Sequence, residues 1–223
     1  MIEPADNSHS DAWHADAVRY RLLWRLVPSV THKLAGSMQP VTMLASIFAR
    51  RLQRPQPDIP ALGKQIADMQ QACKDAIATR SAMMAWFQPS ETELVSIADE
   101  AAQCVQLLTA EFAIRGSSVD NRVADAQGVV LQTCVRTMIL ATLFAILDNA
   151  EGPVAVELGS PPDNSTGATI VAAWSPLTAS DDTANSHSRQ TIGWDDLQAV
   201  ADQVGVGLER TSAQIEMHFT LAA

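Results

Sequence analysis

The chain has 223 residues and is 47% hydrophobic, enough for one large or two small globular domains and too apolar for a disordered chain. Lys+Arg 15 against Asp+Glu 25 gives a formal charge of -10 and a pI near 4.8, so binding to a phosphate backbone has no electrostatic support and nucleic acid is not an expected partner. Cys73, Cys104 and Cys134 stand far apart without a CxxC pair, which predicts neither a zinc cluster nor a disulfide framework and fits a reducing cytoplasm.

Residues 1–14 are polar and acidic, carry neither the basic n-region nor the apolar h-region of a secretion signal, and are expected to be disordered. From about Ala15 to Arg54, Leu23, Val27, Leu34, Met38, Val41, Ala45, Phe48 and Leu52 recur mostly at spacings of three, four or seven, which predicts a long amphipathic helix. Pro28 and Pro40 each remove a backbone donor, so kinks are expected on either side of His32. A turn at Arg54-Pro55-Gln56-Pro57-Asp58 leads to a second helix from about Ile59 to Phe87, carrying Leu62, Ile66, Met69, Cys73, Ile77 and Met84. One hairpin leaves each apolar stripe with a single neighbour, and dimerisation into a four-helix bundle would cover it.

Gln88-Pro89-Ser90 breaks the chain, and the spacing of Ser90 and Glu93 predicts a capped helix from about Glu91 to Phe112. Domains are therefore expected at 15–88 and 89–223. A short strand near Ile114 to Val119 follows, then a helix from about Ala126 to Leu147. The apolar run Val129 to Leu147 contains Gln132, Thr133, Arg136, Thr137 and Thr142, so it reads as a helix buried in protein and not as a membrane span. Strands at Val154 to Leu158 and Ala168 to Trp174, a polar loop from Pro176 to Thr191, a helix Trp194 to Val204 and a hairpin of Gly207 to Arg210 with Gln214 to Leu221 complete the chain. The pattern predicts an α+β chain in which helices cover one face of a mixed sheet.

His32 is the residue with the strongest chemical signature. On a helix, Ala35, Gly36, Gln39 and Pro40 share its face, while Leu34, Met38 and Val41 are expected on the other. Small neighbours one turn downstream leave the imidazole in a clearing that an incoming aspartyl phosphate could reach, which gives a reason for Gly36 in a helix interior. Elsewhere the signals are structural. His187 and His218 lack a carboxylate or cysteine at ligand spacing, so no metal site is expected. Trp24, Trp86, Trp174 and Trp194 read as packing anchors, and Asp195-Asp196 as a favourable helix start.

The layout from about Ala15 onward resembles the dimerisation helices and ATP-binding domain of bacterial sensor histidine kinases, and His32-Lys33-Leu34-Ala35-Gly36-Ser37 is similar to the H-x-L-(K/A)-G-S motif of histidine phosphotransfer domains. The resemblance implies a dimeric four-helix bundle followed by a histidine-kinase-ATPase-like α/β sandwich. The kinase motifs themselves are missing: Ala172-Ala173-Trp174 runs into Ser175-Pro176-Leu177 where an Asp-x-Gly-x-Gly segment would read adenine, there is no glycine-rich lid, and Asn149 falls too near the Val154 strand to be the family's asparagine. Asn-Ala-Glu-Gly is also an ordinary helix stop.

A chain with the histidine but without the ATP site resembles histidine phosphotransferases built like degenerate kinases. That likeness implies a phosphorelay component in which His32 is the phosphoacceptor and exchanges phosphoryl with a response-regulator receiver aspartate. The receiver would supply Mg2+, and this chain would carry no cofactor or metal of its own. Where these relatives usually have an acid directly after the histidine, this chain has Lys33. Lys33, Ser37 and Gln39 are candidate contacts to the phosphoryl oxygens, and Ala35, Gly36 and Pro40 candidate docking positions. The competing reading is a dimeric pseudokinase with a vestigial His32 that binds a signalling partner without chemistry.

Overall fold

The computed structural model describes residues 8–88, 90, 92–124, 128–161, 168–177 and 191–222, with side chains from residue 12 onward. Helix α1 (Ser8–Leu52) and helix α2 (Ile59–Met84) precede a two-residue strand β1 (Leu94–Val95), helix α3 (Ile97–Ile114), strands β2 (Ser118–Arg122) and β3 (Val130–Leu131), and helix α4 (Gln132–Asn149). Strands β4 (Val154–Gly159) and β5 (Thr169–Pro176), helix α5 (Trp194–Val204), and strands β6 (Gly207–Arg210) and β7 (Gln214–His218) follow. The architecture is α+β: a long N-terminal helical hairpin, then a mixed sheet with helices.

The chain divides into two compact units. One comprises Leu26–Pro89; the other combines Met1–Arg25 with Ser90–Ala223. The helix therefore starts well before Ala15, and its first turns group with the α/β unit, a division that local periodicity could not reveal because it depends on long-range contacts. Residues 1–7, Pro89 and Glu91, Ala126, and positions 178–190 of the predicted polar loop, including His187, lie outside the described residues.

In the hairpin unit, α1 runs on through both prolines as one helix, so Pro28 and Pro40 do not divide it. Asp58 caps α2 by accepting the Ala61 N–H at 3.1 Å, and proline occupies the first turn, where its missing donor costs nothing. Leu62, Gln65, Ala76 and Met83 form the buried face of α2, and the Gln65 amide donates to the Leu44 carbonyl at 3.0 Å, tying the two helices together. A second apolar stripe stays uncovered: Ile59, Ile66, Cys73, Ile77 and Met84, spaced seven, seven, four and seven apart, are all exposed.

In the α/β unit the sheet order is β2-β4-β5-β7-β6, with β2 parallel to β4 and the other pairs antiparallel. Val154, Val156, Leu158, Ile170, Ala172, Ile215 and Met217 alternate onto one buried face, which α3, α4 and α5 cover. The opposite face carries the intervening residues, small or apolar at Ala155, Val171 and Ala173 and charged at Glu157 and Glu216. α4 is buried on nearly every side because it lies between the sheet and its neighbouring helices, and its Arg136 pairs with the fully buried Glu100 at 2.6 Å. No described helix is long and apolar enough to cross a membrane.

Three local expectations shift. Ser96, not Ser90, caps α3, accepting the Asp99 N–H, because Leu94-Val95 is drawn into pairing with Val130-Leu131. Ile114 closes α3, so the strand expected there begins only at Ser118. The apolar helix starts at Gln132, since Val130-Leu131 is used in that same small sheet. The final helix ends where Gly205 adopts φ 69°, the left-handed conformation that glycine takes without strain.

Candidate functional site

His32 is exposed on α1, and among the described residues no hydrogen bond or ion pair holds its ring. Ala35, Gly36, Gln39 and Pro40 are exposed as well and follow it down the same face. A Cβ placed on Gly36 would meet nothing within 4 Å, so the clearing below the histidine is open space and not an interior contact. An open depression begins there, with Ala35, Gly36, Met38, Gln39 and Met43 among its walls.

Met38 corrects the expected division of faces. It is 52% exposed and borders the depression beside Ala35, whereas Leu34 and Val41 are half-buried. At 100° per residue, position 38 lies at the flank of the histidine face, close enough to reach round it. Ser37 donates its hydroxyl hydrogen back to the Leu34 carbonyl at 2.7 Å, so only its oxygen lone pairs remain for other partners. Lys33 is half-buried, and Gln39 is exposed with its amide available.

Asn149 serves the fold. Its side-chain nitrogen donates to Ala145 O at 2.7 Å and to Ile192 O at 2.9 Å, closing α4 and pinning the segment that leads into α5. Trp174 and Trp194 stack with ring centres 5.9 Å apart, and Trp86 is buried, as packing anchors should be. Trp24 is not one. It is 50% exposed and touches Tyr20 edge-on, while Ala15, Val18 and Leu22 are the buried apolar residues of this part of α1.

Within the α/β unit, the start of α1 is held by charges whose pairing only the fold creates. Arg21 donates to Asp196 at 2.6 Å and to the Thr191 carbonyl, and His14 lies 3.0 Å from the same carboxylate. Burial alone would raise the Asp196 pKa; the Arg21 hydrogen bond, the Gly193 N–H and the charges of Arg21 and His14 outweigh it, and the net shift is downward. Arg25, almost wholly buried, bonds to Asp148 and sits 3.8 Å from the Phe144 ring centre. Asp148 also accepts from Arg115 at 3.0 Å and from the Ile192 N–H at 2.8 Å. Burial lowers the Arg25 pKa despite Asp148, and pushes the Cys104 thiol well up, aided by Glu100, so that thiol is inert.

No protein-family model matches the chain, and no curated protein matches it. Among solved structures it is similar to the Acinetobacter baumannii histidine kinase AdeS, at 9% identity and a TM-score of 0.39, over 83% of this chain and 96% of that one. It is similar to the Erythrobacter litoralis EL346 blue-light activated histidine kinase, at 11% identity and a TM-score of 0.42, over 70% of this chain and 56% of that one. The histidine kinase from Burkholderia phymatum STM815 is similar at 13% identity and a TM-score of 0.38, over 89% of this chain and 99% of that one. Likeness at that level says nothing of chemistry, which has to come from the residues.

Proposed function

We propose that this chain is a histidine phosphotransferase, exchanging a phosphoryl group between His32 and the aspartate of a response-regulator receiver domain. The observation that carries the reading is the exposed, unpartnered imidazole with Ala35 and Gly36 one turn below it. In the reaction a ring nitrogen attacks phosphorus, the bond from phosphorus to the aspartyl oxygen breaks, and the carboxylate leaves with the electron pair. The neutral imidazole is a competent nucleophile, and what remains for the protein is chiefly positioning. Lys33 and Gln39 are the groups able to meet phosphoryl oxygens beside the ring, and Ala35, Gly36 and Pro40 offer the low surface for the receiver's loops. The receiver brings the magnesium that offsets phosphoryl charge.

The same proposal makes the chain a homodimer through its hairpin. Ile59 is 67% exposed and Ile77 64%, on a stripe with heptad-like spacing that a second hairpin would cover. Lys33, standing where an acid would orient the ring, favours the alternative of a dimeric pseudokinase that binds its partner without chemistry.

Incubation with phosphorylated receiver domains and magnesium separates the two. Phosphotransfer predicts acid-labile, base-stable phosphate on the chain that disappears in His32→Ala. Receiver binding without any labelled phosphohistidine would establish the pseudokinase reading instead.

A further inference from the structure

The outer face of the β6–β7 hairpin brings Glu209 to Glu216 and His218, a pair that strand alternation sets on one face, although the sequence reading found no carboxylate at ligand spacing from His218 and expected no metal site. Ile215 and Met217 turn into the core, so Gln214, Glu216 and His218 project from the opposite face of β7. The register sets Glu209 directly across from Glu216, and Gly207 across from His218. Two carboxylates in directly opposed positions repel one another, and a cation between them would relieve that repulsion.

His218 points that way. Its Nε2 is shut off from solvent and has no hydrogen-bond partner among the described residues, although other parts of the ring are exposed. It lies 3.9 Å from a Glu209 oxygen and 4.0 Å from a Glu216 oxygen, too far to hydrogen-bond either. One ligand atom from each of the three residues falls within 4.8 Å of the others.

The surroundings hold these groups in place. The Thr169 hydroxyl lies 3.1 Å from His218 Nδ1, which leaves Nε2 to face the carboxylates. The Gln214 amide donates to Glu216 Oε1 at 2.7 Å, leaving Oε2 as the oxygen nearest the ring. A Cβ on residue 207 would come within 3.3 Å of the His218 Cβ and 3.5 Å of its Cδ2, so glycine there makes room for the imidazole. Hydrogen bonds of this kind, to the far nitrogen of a histidine and the second oxygen of a carboxylate, are the usual supports of metal ligands.

We propose that Glu209, Glu216 and His218 form a divalent metal site. One imidazole with two carboxylates suits a borderline cation such as Zn2+ better than Mg2+ or Ca2+, which favour all-oxygen shells, and three protein ligands leave a fourth position open. Around a tetrahedral zinc the ligand atoms sit about 3.4 Å apart, given bond lengths of about 2.0–2.1 Å, so on binding the two His218–carboxylate pairs close by roughly half an ångström and the carboxylates, within 4.8 Å of each other, by no more than about 1.4 Å. Glu209, 77% exposed at the sheet edge, is free to move that far.

The test uses the full chain, stripped with chelator, in a Cys73→Ser background that removes the exposed thiol as a rival ligand. Zn2+ is titrated by calorimetry, and Co2+ serves as the spectroscopic probe. One saturable equivalent is expected, with visible ligand-field bands from Co2+ and a shift of the His218 ring resonances on adding Zn2+. His218→Ala, Glu216→Gln and Glu209→Gln should each weaken binding at least about tenfold, and Thr169→Val, as a positioning residue, by about ten- to a hundredfold. These side chains face outward, and circular dichroism verifies that each variant is folded. No zinc binding by the parent chain, or unchanged binding in the His218→Ala/Glu216→Gln double variant, overturns the site.

Discussion

Replacing Asp148 with asparagine removes the charge on which Arg25, Arg115 and the Ile192 N–H converge. The carboxylate is only 2% exposed and the Arg25 side chain 4%, so neither group can turn to water once the partner is lost. Among the described residues Arg25 would keep only Glu111, at 3.8 Å, and the face of Phe144, while the new amide would press a donor against donors. Breaking a buried pair from one side costs about 3–5 kcal/mol. For a chain of this length each kcal/mol moves the melting temperature by about 2–4 °C, so the midpoint should fall by roughly 6–20 °C. Thermal and urea unfolding followed by tryptophan fluorescence read this directly, because Trp174 and Trp194 belong to the same unit. Arg25→Met combined with Asp148→Leu should recover much of the loss, since apolar replacement of both partners removes the desolvation cost. A fall below about 2 °C for the single variant would refute the claim that these charges form an obligatory buried network.

Gly36→Ala should leave the chain as stable or more stable by up to about 1 kcal/mol, because its Cβ meets no atom, while Gly36→Leu should slow phosphotransfer about tenfold to a hundredfold by filling the clearing; equal transfer rates would remove docking from that face. If the proposed dimer forms through the hairpin, Ile66→Glu with Ile77→Glu should give a monomer in light scattering while circular dichroism stays helical, and a dimer that persists would place the interface elsewhere. Asp196 has a lowered folded pKa, so its contribution to stability is full above the unfolded carboxyl value of about 3.9 and is lost as pH falls through the folded value. Denaturation midpoints measured from neutral to acid pH should therefore drop less steeply at the acid end for Asp196→Asn than for the parent chain; parallel curves would contradict the shift.

The secondary elements were legible wherever local chemistry acts alone. Trp194 to Val204 is bounded by its own periodicity and by Gly205, and the Gly207–Arg210 strand by its turn, so sequence and structure agree there residue for residue. Asp58 and Pro60 announce the start of α2 in the same local way. His32 also stood out from its immediate neighbours, because the small residues that follow it on its face lie within about two turns of the same helix, and the placement of Met38 marks the limit of that reasoning.

What only the tertiary structure decided depends on partners distant in the chain. Ser90 and Ser96 are comparable caps on local grounds, and the choice between them came from pairing of Leu94-Val95 with a segment beyond α3. Ala15, Val18 and Leu22, rather than Trp13, Tyr20 and Trp24, became the buried stripe at the start of α1, and Arg25 found Asp148 across 123 positions of sequence. Within the predicted hairpin, the strand register then decided that Glu209 faces Glu216. Helix periodicity and capping arise from interactions within a few residues and can be read from the chain, whereas burial, ion pairing and ligand geometry arise from which surfaces meet, and only folding chooses those.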